Sequence, residues 1–407
     1  MTKIVIISRD FPPREGGVSE YVYFFSQSLI HFKYDVCIIT SKECGNNNHW
    51  NEHFVISNAL PENLEKSSKN STEKGEISIL PLVSHWSWSG IRQILKEIKK
   101  MKPDIVLIQY VPNMYNYFGV PVWVIALVLL IKLFGYKLAV EFHEVAIFVS
   151  SGIKYLPIAV LQRCIAYTLC LFADVCFTSM TGYSRMLQFW NKNIRVIPVG
   201  SNIIVKDPKS SLLRKEISAL KNELSEKKYF MLSSFGSSAD YRGHNILLNV
   251  IKKEKSLKFI FIGEGPQISK RAEELGIKDR VLVTGHLKSD IVYKYLAISD
   301  LFICLNVAPK SGIGMKSCAL MAAFYAGLPI LGYKGIFTET AILKHLENVF
   351  LIENCNEIQL HEAIREVMNN DVLKQKLRKG ACKLFNEYIA WDRIAEEFIK
   401  GFKSINR

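Results

Sequence analysis

Short apolar runs and longer amphipathic stretches alternate along the chain. "KIVIIS" near the N-terminus reads as a buried strand, "YVYFFSQSLI" as the helix after it, and "YDVCIIT" as the next strand. "DIVLIQY", "KLAVEF", "VCFTS" and "IRVIPVG" continue the series. A charged stretch, "KDPKSSLLRKEISALKNELSEKK", then precedes a second series: "YFMLSSFG", "LKFIFIG", "RVLVTG", "LFICLN", "LPILGY" and "VFLI". Apolar strands separated by helical patterns predict parallel sheets built from βαβ units. The reading is therefore an α/β protein with two doubly wound, Rossmann-like domains, over residues 1–200 and 227–385, joined by a connector at 201–226. Such a pair of domains is expected to face a cleft, with ligands beyond the C-terminal strand ends. The last segment, 386–407, contains "WDRIAEEFIKGFKSI", a helix with no strand after it, which is expected to return to the first domain. A polar stretch at about 43–77 reads as a variable excursion.

Composition narrows the class. With 407 residues, 49% of them hydrophobic and 22% charged, the chain can bury two ordinary globular cores. Its nine cysteines show no CxxC pair, which suits reduced thiols in the cytoplasm and no metal site. The net charge of +14 is spread over both halves, which reads as a solvated basic surface or as one that attracts anionic lipid, with no nucleic-acid module among the motifs. "MTKIVIIS" is too short an apolar run for a signal peptide. The run "FGVPVWVIALVLLI" is shorter than the ~20 residues a membrane span needs, so a buried or half-buried helix is expected. Its outer face, with "YLPIAVLQRCIAYTLCLF", could lie on a bilayer, which would put the protein at the inner face of the cell membrane.

Candidate chemistry sits where strands end. "SRDFPPREGGVSEYV" follows the first strand, and Gly16 and Gly17 allow a backbone approach to a diphosphate or sugar, or serve an ordinary βα loop. "KLAVEFHEV" places His143 beyond a strand end, flanked by Glu141 and Glu144, able to bond a sugar hydroxyl or to stand as a surface histidine beside carboxylates. In "SSFGSSADYRGHNILLNVI", Gly236 opens a loop, Ser237 and Ser238 add donors, and Arg242 stands at a helix start, as a diphosphate clamp or as a plain surface residue. "FIGEGP" makes a tight turn through Gly263, Glu264 and Gly265, under a base or as plain turn chemistry. "SGIGMKSCALMAAFYAGLPIL" has Ser317 as a helix N-cap with Lys316 just before it, and its small residues suit close helix–sheet packing. A helix N-terminus and a lysine suffice for a phosphate without any carboxylate.

In this order the segments resemble the GT-B fold glycosyltransferases, in particular the large retaining group 1 (family 4-like) set. "FPPREGGVSEYV", "EFHE", "IPVGSNI", "GSSADYRGHNILL", "FIGEGP", "VTGHL", "AGLPIL" and "FNEYIAWDRIAEEF" follow that family's sequence of motifs over nearly the whole chain. The resemblance implies a donor domain holding a nucleotide-diphospho-sugar (UDP-, GDP- or another), an acceptor domain, retention of configuration, and no metal or other cofactor. It assigns the departing diphosphate to Arg242 and Lys316, sugar contact to His143, and the region over the diphosphate to Gly16 and Gly17. One departure stands out. The family's two glutamates, eight positions apart, fall on Gly314 and Ala322, and the turn resembles a subgroup with a basic residue there, Lys316. Glu339, in "IFTETA", is one candidate substitute for the missing ribose or sugar contact. The expected activity is a transferase acting on a glycan or lipid-linked acceptor in surface polysaccharide synthesis. The missing glutamates also fit a catalytically silent binding protein, and the architecture alone fits a nucleotide-sugar epimerase.

Overall fold

The computed structural model describes residues 1–14, 16–45, 77–147, 153–224, 229–307 and 311–405. The chain forms two compact units. The first takes the described residues up to position 198 and those from Trp391 onward, and the second takes Val199–Ala390. Most of the polar excursion expected at 43–77 lies outside the described residues.

In the first unit seven strands lie in the order β3-β2-β1-β4-β5-β6-β7, all neighbours parallel. They are β1 (Thr2–Ile7), β2 (Tyr34–Ser41), β3 (Ile77–Val83), β4 (Ile105–Tyr110), β5 (Lys137–Phe142), β6 (Val175–Thr178) and β7 (Ile194–Val196). The central strands are apolar at successive positions because helices cover both faces. Ile4 to Ile7 and all of β4 are buried. One strand was absent from the sequence reading. β3 contains Pro81, which lacks an N–H and argues against a strand interior. Here it is accommodated because β3 is the sheet's edge, and its register against β2 shifts next to Pro81.

The second sheet has the order β10-β9-β8-β11-β12-β13, again parallel throughout. Its strands are β8 (Phe230–Phe235), β9 (Leu257–Ile262), β10 (Val281–Val283), β11 (Leu301–Cys304), β12 (Ile330–Tyr333) and β13 (Phe350–Ile352). Both sheets grow outward in one direction from their first strand and then in the other. The topological switch therefore falls between β1 and β4 in one unit and between β8 and β11 in the other, where loops diverge and leave a crevice.

Two segments at the domain boundaries settle on definite partners. The charged stretch after Val199 contains a helix, Ser211–Leu224, that packs on the helix Ser289–Ala297 with Lys294 Nζ 2.9 Å from Glu216. It belongs to the second unit. The closing helix, Trp391–Ser404, packs on the helix Gly17–His31 in the first unit. Its Ile394, Phe398 and Phe402 recur at four-residue spacing, so they form one buried stripe. Phe398 stacks on Phe177 of β6 at 4.1 Å between ring centroids and meets Phe25 at 4.5 Å. Burying one such ring contributes ~1.5–3 kcal/mol. Gly401 permits this approach, since a Cβ there would lie 2.6 Å from the Phe177 ring.

Candidate active site

The second unit gathers its candidate residues along the C-terminal edge of its sheet. The loop after β8 opens at Gly236, whose φ is 103°, and its carbonyl lies 2.6 Å from where a Cβ on Gly263 would stand. The β8 and β9 loops are thus pressed together, and only glycine at 263 allows it. Gly265 packs over the Phe261 ring and begins the helix Pro266–Glu274, leaving Glu264 exposed. Ser237 accepts from the Ala239 N–H at 3.2 Å, and Ser238 donates to Gln267 Oε1 at 3.0 Å. Both serines are therefore engaged in ordering the loop.

Arg242 ends a single turn of 3-10 helix, Asp240–Arg242. Gly243, with φ 73°, then starts the helix His244–Lys253. The guanidinium stands over the Tyr241 ring at 5.3 Å, and its Nε makes no hydrogen bond among the described residues. Beside it His244 is buried, with Nε2 3.2 Å from Ser234 Oγ. Burial and the Arg242 charge push its pKa down to about 4, so the imidazole is neutral at pH 7. The β11 loop closes against the same turn, since the Val307 N–H donates to the Tyr241 carbonyl at 2.6 Å.

From there the contacts run into the glycine-rich turn. Asn306 Nδ2 donates to the Gly312 carbonyl at 2.8 Å, and Gly312 holds φ 73° with Gly335 N only 2.1 Å from a hypothetical Cβ. Ser317 caps the helix Cys318–Tyr325 by accepting from the Leu320 N–H at 3.3 Å. Lys316 is exposed beside it. Glu339 is buried, and its Oε2 accepts the Met315 N–H at 3.1 Å, 3.4 Å from where a Cβ on Gly314 would lie. A carboxylate from the next loop thus reaches the backbone at the position where the family's first glutamate is missing. The second missing position, Ala322, is fully buried.

The first unit has a different kind of site. Gly16 has φ 152° and is exposed with Gly17 at the start of the helix Gly17–His31; among the described residues no non-neighbouring heavy atom stands within 4 Å of a Cβ on either. His143 follows β5, and its Nε2 lies 2.6 Å from Gln109 Oε1 at the end of β4. With the amide oxygen accepting, Nε2 carries the hydrogen and Nδ1 is the basic nitrogen. Tyr21 meets the imidazole edge-on at 5.0 Å and Trp391 at 5.2 Å. Glu141 is paired in register with Gln109, so both side chains leave the same face of the sheet. Burial pushes the Glu141 carboxyl up to about 7, against the opposing pull of Tyr21 and Gln109. Glu144 is exposed.

Sequence reasoning missed Gln109, Tyr21 and Asn306, and it treated Glu141 only as a flank of His143. Gln109, Tyr21 and Glu141 gain their roles from elements distant in sequence, and Asn306 gains its own from the Gly312 carbonyl six residues on.

Two parallel doubly wound units, each with polar groups collected at its switch point, define the GT-B glycosyltransferase fold. Residues 215–384, within the second unit, match the family described as Glycosyl transferases group 1. Among solved structures the chain is similar to a sucrose-phosphate synthase from Thermosynechococcus elongatus, with TM-score 0.70 and 13% identity over 100% of this chain and 99% of that one. It is also similar to Anabaena Alr3699/HepE in complex with UDP, with TM-score 0.67 and 14% identity over 99% and 100%. Among curated proteins it is similar to a poly(ribitol-phosphate) alpha-N-acetylglucosaminyltransferase of Staphylococcus aureus (strain COL), 23% identical over 38% of this chain and 31% of that protein. The chain thus matches less than half the length of the curated relatives.

Proposed function

We propose that the protein transfers a sugar from a nucleotide-diphospho-sugar to a glycan or lipid-linked acceptor, with retention of configuration and without a metal. The observation that carries this reading is the linked edge of the second unit: Arg242, whose Nε makes no hydrogen bond among the described residues, the close-packed glycine loops, and the capped helix start beside Lys316. Breaking the bond from the anomeric carbon to the diphosphate places negative charge on the departing oxygen. A guanidinium, an ammonium and helix N–H groups stabilise that charge without a cation from solution. The acceptor hydroxyl then bonds to the anomeric carbon and gives its proton to the departing diphosphate oxygen. In this account Gly236, Gly263, Gly265 and Gly314 let backbone approach the nucleotide, Ser237, Ser238, Glu264 and Ser317 line its path, and Glu339 braces the turn that presents Lys316. His143, with Nδ1 as its basic nitrogen, binds a sugar hydroxyl. Glu144, Gly16 and Gly17 border that position.

UDP is the first nucleotide to try, because the Anabaena relative was solved with it. The test is calorimetric titration of the purified protein with UDP, GDP, ADP and CMP, for wild type and Lys316→Ala. Binding of one diphosphate, weakened about tenfold by the substitution, supports the reading. Binding of none of them overturns the donor site and returns the protein to the class of silent GT-B shells.

A further inference from the structure

Two helices of the first unit bury one apolar face and expose another. In the helix Trp123–Leu133, Trp123, Val124, Leu127, Val128 and Ile131 face inward. Val122, Ala126, Leu129 and Leu133 follow at spacings of four, three and four on the outer side, with Leu133 76% exposed. The helix Leu156–Phe172 packs directly against it and repeats the arrangement, turning Val160, Leu161, Cys164 and Leu171 to solvent. At 11 and 17 residues, neither helix is long and apolar enough to cross a membrane.

The flanks of this face say what covers it. On one side the helix Trp88–Met101 contacts Trp123–Leu133 and presents Arg92, Lys96 and Lys99, all exposed, at i, i+4 and i+7. Lys99 Nζ lies 3.6 Å from the ring centroid of Phe134, which joins the basic row to the apolar stripe. On the other side Trp190 stacks on Tyr167 at 5.2 Å, next to Phe189, which is 79% exposed. Between Asp104 and Asp174 the chain has only two acidic residues, Glu141 and Glu144, and both helices lack any. An apolar stripe with aromatic residues at one margin and a row of exposed cations at the other matches a bilayer interface: acyl chains, the interfacial belt and anionic headgroups respectively.

We infer that this face seats the protein in plane on a membrane rich in anionic phospholipid, with the two helices lying in the interface. The inference goes beyond the transferase reading and does not depend on it. The test is flotation of the full chain with vesicles of phosphatidylcholine alone and of phosphatidylcholine with one-third phosphatidylglycerol. Wild type is expected to float with the anionic vesicles. Leu129→Glu combined with Leu133→Glu should weaken that binding about tenfold or more. Lys96→Gln with Lys99→Gln should weaken it about tenfold on anionic vesicles only. All four substitutions are on the surface, and an unchanged circular dichroism spectrum and melting temperature confirm the fold. Val160→Glu is a second probe from the neighbouring helix. A wild type that stays in the soluble fraction with both vesicles overturns the inference, as does a leucine variant that floats as well as wild type. A wild-type dimer in light scattering that the leucine variant converts to monomer also overturns it, assigning the face to a second copy of the chain. Nucleotide titration of the same variants should match wild type, so failure here is distinct from failure of the donor site.

Discussion

The two switch-point sites solve the problem of binding in different materials. In the second unit the site is mostly backbone. Its shape comes from glycines at 236, 243, 263 and 312 in positive-φ conformations, three of which a Cβ would bring into close contact with neighbouring backbone or side chains. In the first unit the site is mostly side chain. His143, Gln109, Glu141 and Tyr21 come from two strands and a helix and hold one another. A backbone site tolerates no added bulk, whereas a side-chain site is sensitive to protonation and to the loss of single polar atoms. The contrast predicts different failures in the two units.

The largest effect is expected from adding one methyl group to the backbone site. Gly312→Ala combines a positive φ with a 2.1 Å clash against Gly335 N. It should cost about 3 kcal/mol or more of stability by urea unfolding, together with nucleotide binding. An alanine variant with wild-type stability would show that the turn is not held as tightly as its contacts imply. In the first unit the corresponding sensitivity is to pH. Glu141 is raised by burial to about 7 from a normal 4.5, so the folded state binds its proton more tightly than the unfolded chain. Stability from this group is fully present below pH 4.5 and is lost as pH rises through 7, a change of up to about 3 kcal/mol. Melting temperatures followed from pH 5 to 8 should therefore fall for this contribution in wild type, and Glu141→Gln should remove that component of the slope.

A smaller loss, about 1–3 kcal/mol, is expected for Gly401→Ala, because the closing helix must retreat from Phe177. Thermal unfolding reads it, and nucleotide titration should be unaffected, since Gly401 belongs to the first unit. The smallest effect tests the link between Arg242 and its buried neighbour. Arg242→Gln removes a positive charge from beside His244, whose pKa lies at about 4, and should move that pKa upward in an NMR titration. An unmoved His244 would leave desolvation as the only cause and would separate the two residues.

Much of the fold was legible because its signals are local. Apolar runs marked twelve of the thirteen strands found among the described residues, and turn residues bounded most of the helices there. The missed strand, β3, carries a proline that is harmless only at an edge, and edge position is a property of the assembled sheet. Glycines made the second unit's site readable, since a positive φ is chemically written into the residue that adopts it. Gln109 and Tyr21 had no such mark. Glu339 was visible as a carboxylate, but its engagement with the Met315 N–H depends on two loops meeting.

The order of strands and helices, the doubly wound class, the glycine turns and the basic residues near helix starts all follow from residue types and their spacing, because short-range sterics and hydrophobic periodicity dictate them. Folding in three dimensions decided the rest. It paired Gln109 with His143, desolvated Glu141, packed Trp391–Ser404 on the first unit, and left apolar residues of two helices facing solvent. Those outcomes depend on which side of an element is covered, and that depends on contacts between residues tens to hundreds of positions apart in the chain.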